Sequence, residues 1–252
     1  RGLGDVYKRQ GQIMHWSQLY KPAKSLCYNM IAYLHRHIRI QKHYRTLCWL
    51  LPDCVIKDLK FWLKYTDLVK EVPMESIIRE PTIQVVGSSD ACDFGGGFCI
   101  QKFWSYYTFH EKHRHLQIDE KEAHAVIMLL YNLRKELTGK KLILYIDNSV
   151  LYWAMVRHWA GERMMPSIYE ICATMMEYKI CVWFEWIPTD CNVLADTLSR
   201  HDELAFWEWI NLFNIEVNPK PLPLDYISDY VFESMSVSYT HLTLPTTSCG
   251  FV

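Results

Sequence analysis

Four acidic residues stand where carboxylates can do chemistry. Asp90 follows the apolar stretch 82–89, and Glu122 lies near the start of a long stretch with an apolar stripe. Asp147 ends KLILYID, and Asp196 sits inside ADTLSR. Residues at strand ends on one edge of a mixed sheet converge, and helix amino termini meet them there. Four gathered carboxylates repel one another unless cations compensate. Divalent ions are the usual remedy, and Mg²⁺ prefers oxygen ligands of this kind. Two such ions, about 3.5–4 Å apart, activate a water and stabilise the leaving oxygen in phosphodiester hydrolysis. Each residue also has a plainer reading. Asp119-x-x-Glu122 reads as a capping box, Asp147-Asn148 as a turn and cap, Asp93 as a turn former, and Asp196 as an exposed helix residue. Spacing alone leaves both readings open.

The elements that would position these residues follow from periodicity. Leu26, Met30, Leu34 and Ile38 recur at four-residue steps and predict a helix within 24–48. Arg36 and Arg39 fall on another face of it. Asp53 caps a second helix over 53–70, and 71–81 turns irregular before Pro81. Residues 82–89 read as a strand, Gly95–Gly97 as a break, and 98–109 as one or two further strands. A long helix opens at Asp119, carries Val126, Leu130, Leu133 and Leu137 on one stripe, and ends at Gly139. The strand 141–148, helices over 149–158 and 166–178, the strand 181–187 and a short helix over 192–200 complete the order. This is an α/β pattern, a mixed sheet with helices on its faces.

Composition bounds the class. The 252 residues are half hydrophobic and rich in aromatics, enough for a sizeable core. Apolar runs such as 127–131 and 181–187 fall far short of the roughly 20 residues of a membrane span. With no charged-then-apolar leader, the expectation is an intracellular protein of cytoplasm or nucleus, not secreted and without a membrane partner. The nine cysteines are scattered without a C-x-x-C pair and read as reduced, mostly buried apolar residues. His110, His113 and His115 lack the cysteine partners of a closed zinc site. Net charge is near zero, but 21–64 is strongly basic and 201–236 strongly acidic. The basic third suits a polyanionic partner, or simply a solvated helix face.

Four blocks carry a more specific signal. SDACDFGGGF, EKEAHAVIMLLYNL, LYIDNSVLYWA and IPTDCNVLADTLSR, in that order over about 82–200, resemble the ribonuclease H domain of retroelement reverse transcriptases. DIRS-type elements are most similar, with gypsy-type next. The preceding segment, with DLKFWLKY, resembles the thumb or connection region of the same polyproteins. The resemblance implies an RNase H-like mixed sheet flanked by helices. It implies that Asp90, Glu122, Asp147 and Asp196 hold two Mg²⁺ (or Mn²⁺) ions and cleave the RNA strand of an RNA–DNA hybrid, selected by its 2′-hydroxyls. Asn148 and Asn192 match positions near the substrate and the last carboxylate, and Arg36 and Arg39 would take backbone phosphates. The remainder of the polyprotein is an implied partner, and the alternative is a non-catalytic, hybrid-binding connection module. One departure is plain: the loop EWIPTDCN lacks a histidine that related enzymes often carry there, and His201 is a remote candidate for it.

The expected organisation is therefore 11–80 as a basic helical thumb or connection segment, 81–200 as the RNase H-like domain, and 201–236 as an acidic tail or linker. The ends, 1–10 and 237–252, include RGLGDVYKRQ and VSYTHLTLPTT, which resemble translated sequencing-adapter DNA. They are expected to be artefacts of assembly.

Overall fold

The structure is a computed structural model, and it describes residues 21–33, 51–71, 82–225 and 232–234. The terminal adapter-like stretches, most of the predicted helix 24–48 with Arg36 and Arg39, and residues 72–81 lie outside the described residues.

Five strands form the main sheet: β1 (Gln84–Ala91), β2 (Gly95–Ile100), β3 (Phe103–Phe109), β4 (Lys141–Ile146) and β5 (Cys181–Trp186). A short β6 (Phe232–Ser234) adds to the edge, giving the order β5-β4-β1-β2-β3-β6. β1, β2 and β3 are antiparallel neighbours, and β4 and β5 run parallel to β1. The parallel pairs need crossovers, and helices provide them. After α1 (Asp53–Glu71), α2 (Ile118–Asn132) and the short α3 (Arg134–Leu137) lead into β4. α4 (Ser149–Arg157) and α5 (Met165–Glu177) lead into β5. The result is a mixed sheet flanked by helices and preceded by a helical segment, the α/β arrangement expected from the sequence.

The predicted stripe is the centre of the core, although the single helix expected to run to Gly139 is broken at Leu133. Val126 and Leu130 of α2, Leu133 at the break and Leu137 of α3 are enclosed in one cluster with Leu142, Leu144 and Ile146 of β4. α2 packs on β1, β2 and α5. The 3-10 segment Lys21–Cys27, which runs into a helix at 28–33, packs on α5. There the Ser25 hydroxyl donates to the carbonyl of His158 at 2.8 Å. Gly139, at φ 72°, is the left-handed residue between α3 and β4.

One expectation is corrected here. Gly95–Gly97 do not break the chain: they are buried residues of β2, and the turn is Cys92–Phe94, closed by the Cys92 N–H to the Gly95 carbonyl at 2.8 Å. Of the two readings tail or linker, 201–236 starts as a packed helical tail. α6 (Val193–Ser199) is followed by α7 (Glu203–Phe213), capped by Asp202, whose carboxylate accepts from the Ala205 N–H at 3.0 Å. α7 sets Phe206 and Ile210 into a second core with Trp104, Tyr106 and Leu198. The acidic composition describes only its outer face; Phe206 and Ile210, four residues apart, carry the inner one.

Candidate active site

The register of the parallel pair explains how the first two carboxylates meet. β1 and β4 align Ser88 with Tyr145. Asp90 and Asp147, each two residues further, therefore leave the same edge of the sheet side by side. Glu122 reaches them from α2. That helix starts one residue earlier than the sequence suggested, and its amino-terminal cap is Gln117, whose N–H donates to the Glu120 carboxylate at 3.2 Å. The capping reading of Asp119 and Glu122 is thus overturned. Glu122 sits in the second turn, past the cap, and faces inward.

Asp90, Glu122 and Asp147 each offer an oxygen within 4.8 Å of the others, the group among the described residues placed to share a cation. Asp90 and Glu122 are only 6% and 7% exposed. Burial, reinforced by repulsion from Asp147 and Asp196, pushes the Asp90 carboxyl up to about 7, against the opposing bond from Ser199. Burial and repulsion from Asp90 and Asp147 push Glu122 up to about 9, against the bond from Asn148. Without a cation, this site holds protons instead.

Neighbouring side chains fix the carboxylates. The Ser199 hydroxyl, fully buried at the end of α6, donates to Asp90 Oδ2 at 2.5 Å. Asn148 caps α4 by accepting from the Leu151 N–H at 2.9 Å and donates through Nδ2 to Glu122 Oε1 at 3.2 Å. Both readings of Asp147-Asn148 therefore hold at once: the asparagine is the cap and the aspartate joins the cluster. Asn192, buried at 2% exposure, donates to the Ser89 carbonyl at 3.1 Å and to Asp147 Oδ1 at 3.4 Å. Trp186 Nε1 donates to the Asp147 carbonyl at 2.8 Å. Ser199 and Trp186 were not singled out from the sequence. For Ser199, the signal lay in the LSR ending of the last block.

Asp196 stands apart from the three. Its Oδ1 accepts from Arg200 Nε at 2.9 Å and lies 2.8 Å from Nη2. It remains close enough to raise the Asp90 carboxyl electrostatically. Asp93 is a turn residue, as read: its carbonyl accepts from the buried Lys121 ammonium at 3.0 Å. His201 is half-buried at φ 58°, its Nε2 3.1 Å from the Tyr107 carbonyl and its ring between Phe94 and Tyr106. His110, His113 and His115 form no metal group among the described residues. Cys27, Cys99 and Cys172 are buried free thiols, whereas Cys54 and Cys191 are exposed.

The glycines act on this site by absence. A Cβ on Gly97 would lie 2.5 Å from Leu198 Cβ and 2.7 Å from its carbonyl carbon. A Cβ on Gly96 would strike the Tyr107 ring. Gly97, paired across from Asp90, lets α6 lie against β2 with Asp196 and Ser199 on it.

The oxygen donors present suit a hard divalent cation. Glu122 Oε2 and Asn192 Oδ1 are buried without a hydrogen-bond partner among the described residues, at the place where three carboxylates crowd. Buried acceptors are rarely left so, and a cation satisfies them. A groove of about 860 Å³ lies elsewhere, lined by Lys57, Lys60, His113, Arg163 and Tyr169, and none of the four carboxylates borders it.

No family model and no curated protein matches this chain. Solved structures with a similar chain path do exist. An RNase H1 from the halophilic archaeon Halobacterium salinarum NRC-1 is 14% identical, with 48% of this chain and 97% of that chain covered at TM-score 0.39. LC11-RNase H1 in complex with an RNA/DNA hybrid is 18% identical, with 48% and 95% covered at TM-score 0.40. The amino-terminal RNase H domain of rv2228c from Mycobacterium tuberculosis is 14% identical, with 51% and 99% covered at TM-score 0.34.

Proposed function

We propose that this chain is a ribonuclease H-type endonuclease that hydrolyses the RNA strand of RNA–DNA hybrids. It belongs, on this reading, to the reverse transcriptase polyprotein of a DIRS- or gypsy-like retroelement, with assembly-derived residues at both termini. The observation that carries the reading is the convergence of Asp90, Glu122 and Asp147 at one sheet edge, with buried oxygens left unmet.

Asp90, Glu122 and Asp147 would hold the cation pair, with Asp196 completing the set from α6. Divalent ions of the Mg²⁺ or Mn²⁺ class supply a water of lowered pKa and neutralise the departing oxygen. The chain's own residues do the rest. Ser199 and Asn148 orient Asp90 and Glu122, and Asn192 and Trp186 fix Asp147. Hydrogen bonds of this kind keep ligand oxygens aimed at a cation. Arg36 and Arg39 remain candidate phosphate contacts of the basic segment.

Cleavage of a labelled RNA–DNA hybrid in Mg²⁺ or Mn²⁺, with Asp147→Asn in parallel, tests this. Metal-dependent cleavage by the wild type and at least a hundredfold loss in the variant is expected. Equal rates in both proteins would overturn the site assignment. Tight, salt-sensitive hybrid binding with intact RNA would instead identify a non-catalytic connection module.

A further inference from the structure

We propose that Arg200 is an internal counter-ion for Asp196, which a divalent cation must displace before that carboxylate can serve the site. Arg200 then sets the cation concentration at which the site becomes complete. The inference rests on the reading of Asp90, Glu122 and Asp147 as cation-holding residues.

The geometry is specific. Asp196 and Arg200 are one helical turn apart, so their side chains meet on the same face. Both Nε and Nη2 of Arg200 close on the same oxygen, Asp196 Oδ1, at 2.9 and 2.8 Å. Asp196 acts on Asp90 electrostatically, and Arg200 feels Asp90 in turn, so the pair sits at the rim of the cluster. Yet Asp196 is not among the carboxylates within mutual reach of one cation. The guanidinium supplies one positive charge where a second ion would bring two.

The backbone beneath the arginine is held by hydrogen bonds, while its side chain is held only by an exposed ion pair. Ser199 anchors the turn through Asp90 and the Asp196 carbonyl, and the Arg200 N–H bonds the Asp196 carbonyl at 3.2 Å. The Arg200 side chain is 60% exposed and that of Asp196 is 28% exposed. An exposed pair of this kind is weak and is screened by solvent, so an ion of twice the charge competes with it effectively. Displacement needs side-chain rotamer changes of Arg200 and Asp196, while the turn bonds hold the backbone of α6.

A structural role and a counter-ion role predict opposite signs. If the pair merely braces α6, removing it loosens the site and weakens cation binding. If Arg200 occupies the cation's place, removing it strengthens binding. The test is calorimetric titration of the full chain with Mn²⁺ alone, for wild type, Arg200→Ala, Arg200→Gln, Arg200→Lys, Asp196→Asn and the Asp196→Asn/Arg200→Ala double variant.

Arg200→Ala and Arg200→Gln should lower the half-saturating Mn²⁺ concentration about two- to tenfold, as loss of one exposed neighbouring charge implies. Arg200→Lys should stay close to wild type. In the Asp196→Asn background, Arg200→Ala should change nothing. The Mn²⁺ threshold for hybrid cleavage should move with the calorimetric one. Arg200→Gln keeps the length of the side chain and carries the test should Arg200→Ala melt early. Unchanged or weaker binding in both neutral variants overturns the inference, while wild-type binding and cleavage leave the functional reading standing. Absence of Mn²⁺ binding and cleavage in the wild type overturns both.

Discussion

At Asp90 and Glu122, burial and mutual repulsion make the metal-free carboxyls poor acids, titrating near 7 and 9. Their folded values exceed the unfolded ones. The stability they contribute is therefore fully present below about pH 4 and is lost as pH rises through 7 and 9. The melting temperature of metal-free protein should fall as pH rises from about 4 to 9, most steeply below 7. Millimolar Mg²⁺ or Mn²⁺ should flatten that fall, because cation and proton compete for the same oxygens. A melting profile insensitive to both pH and cation would contradict the cluster. Asp147→Asn removes one repelling charge while keeping a polar group of the same shape. Alongside its loss of cleavage, it should melt at or above the wild-type temperature in the absence of cations. The chemical types of these residues were legible in the sequence; their burial, and hence their acidity, was not.

The elements decide what the glycine run is for. In sequence, DFGGG reads as a turn, since glycine is the common turn residue. In the fold the turn belongs to Cys92–Phe94, and the glycines make room for α6 and for the Tyr107 ring. Gly97→Ala should therefore push α6 off β2, costing about 1–3 kcal/mol by overpacking and lowering hybrid cleavage well beyond that stability loss. Gly139→Ala is the control at this scale. Its added Cβ meets nothing within 4 Å, and only the φ of 72° is strained, so it should cost about 1 kcal/mol and leave cleavage intact. Urea melts and single-turnover cleavage of the two variants separate these effects. Periodicity revealed the helices and strands of the central unit to within a few residues. It missed α7, because an acidic, proline-bearing stretch hides the two apolar residues, Phe206 and Ile210, that bury it.

For the whole molecule, the amino-terminal segment is joined to the rest through Ser25, which donates to the His158 carbonyl, and is braced internally by a buried carboxylate. Asp58 of α1 is buried, accepting from Asn29 Nδ2 and the Met30 N–H, each at 3.0 Å. Burial raises its carboxyl to about 6 despite those bonds. The same sign applies: stability from this group is present below about pH 4 and is lost as pH rises to 6. Urea unfolding at pH 4, 5 and 6 should show a decline in wild type that Asp58→Asn lessens by on the order of 2 kcal/mol, the remainder belonging to Asp90 and Glu122. Equal slopes in the two proteins would show that Asp58 does not titrate in this range. The sequence by itself determined the α/β class, the order of elements and the four acidic candidates, because side-chain periodicity and residue type are local properties. Only the tertiary structure decided the rest: which three carboxylates share one edge, that Asp196 is held by Arg200, and which oxygens are buried. Those depend on strand register and helix approach, which are set by contacts between residues far apart in the chain.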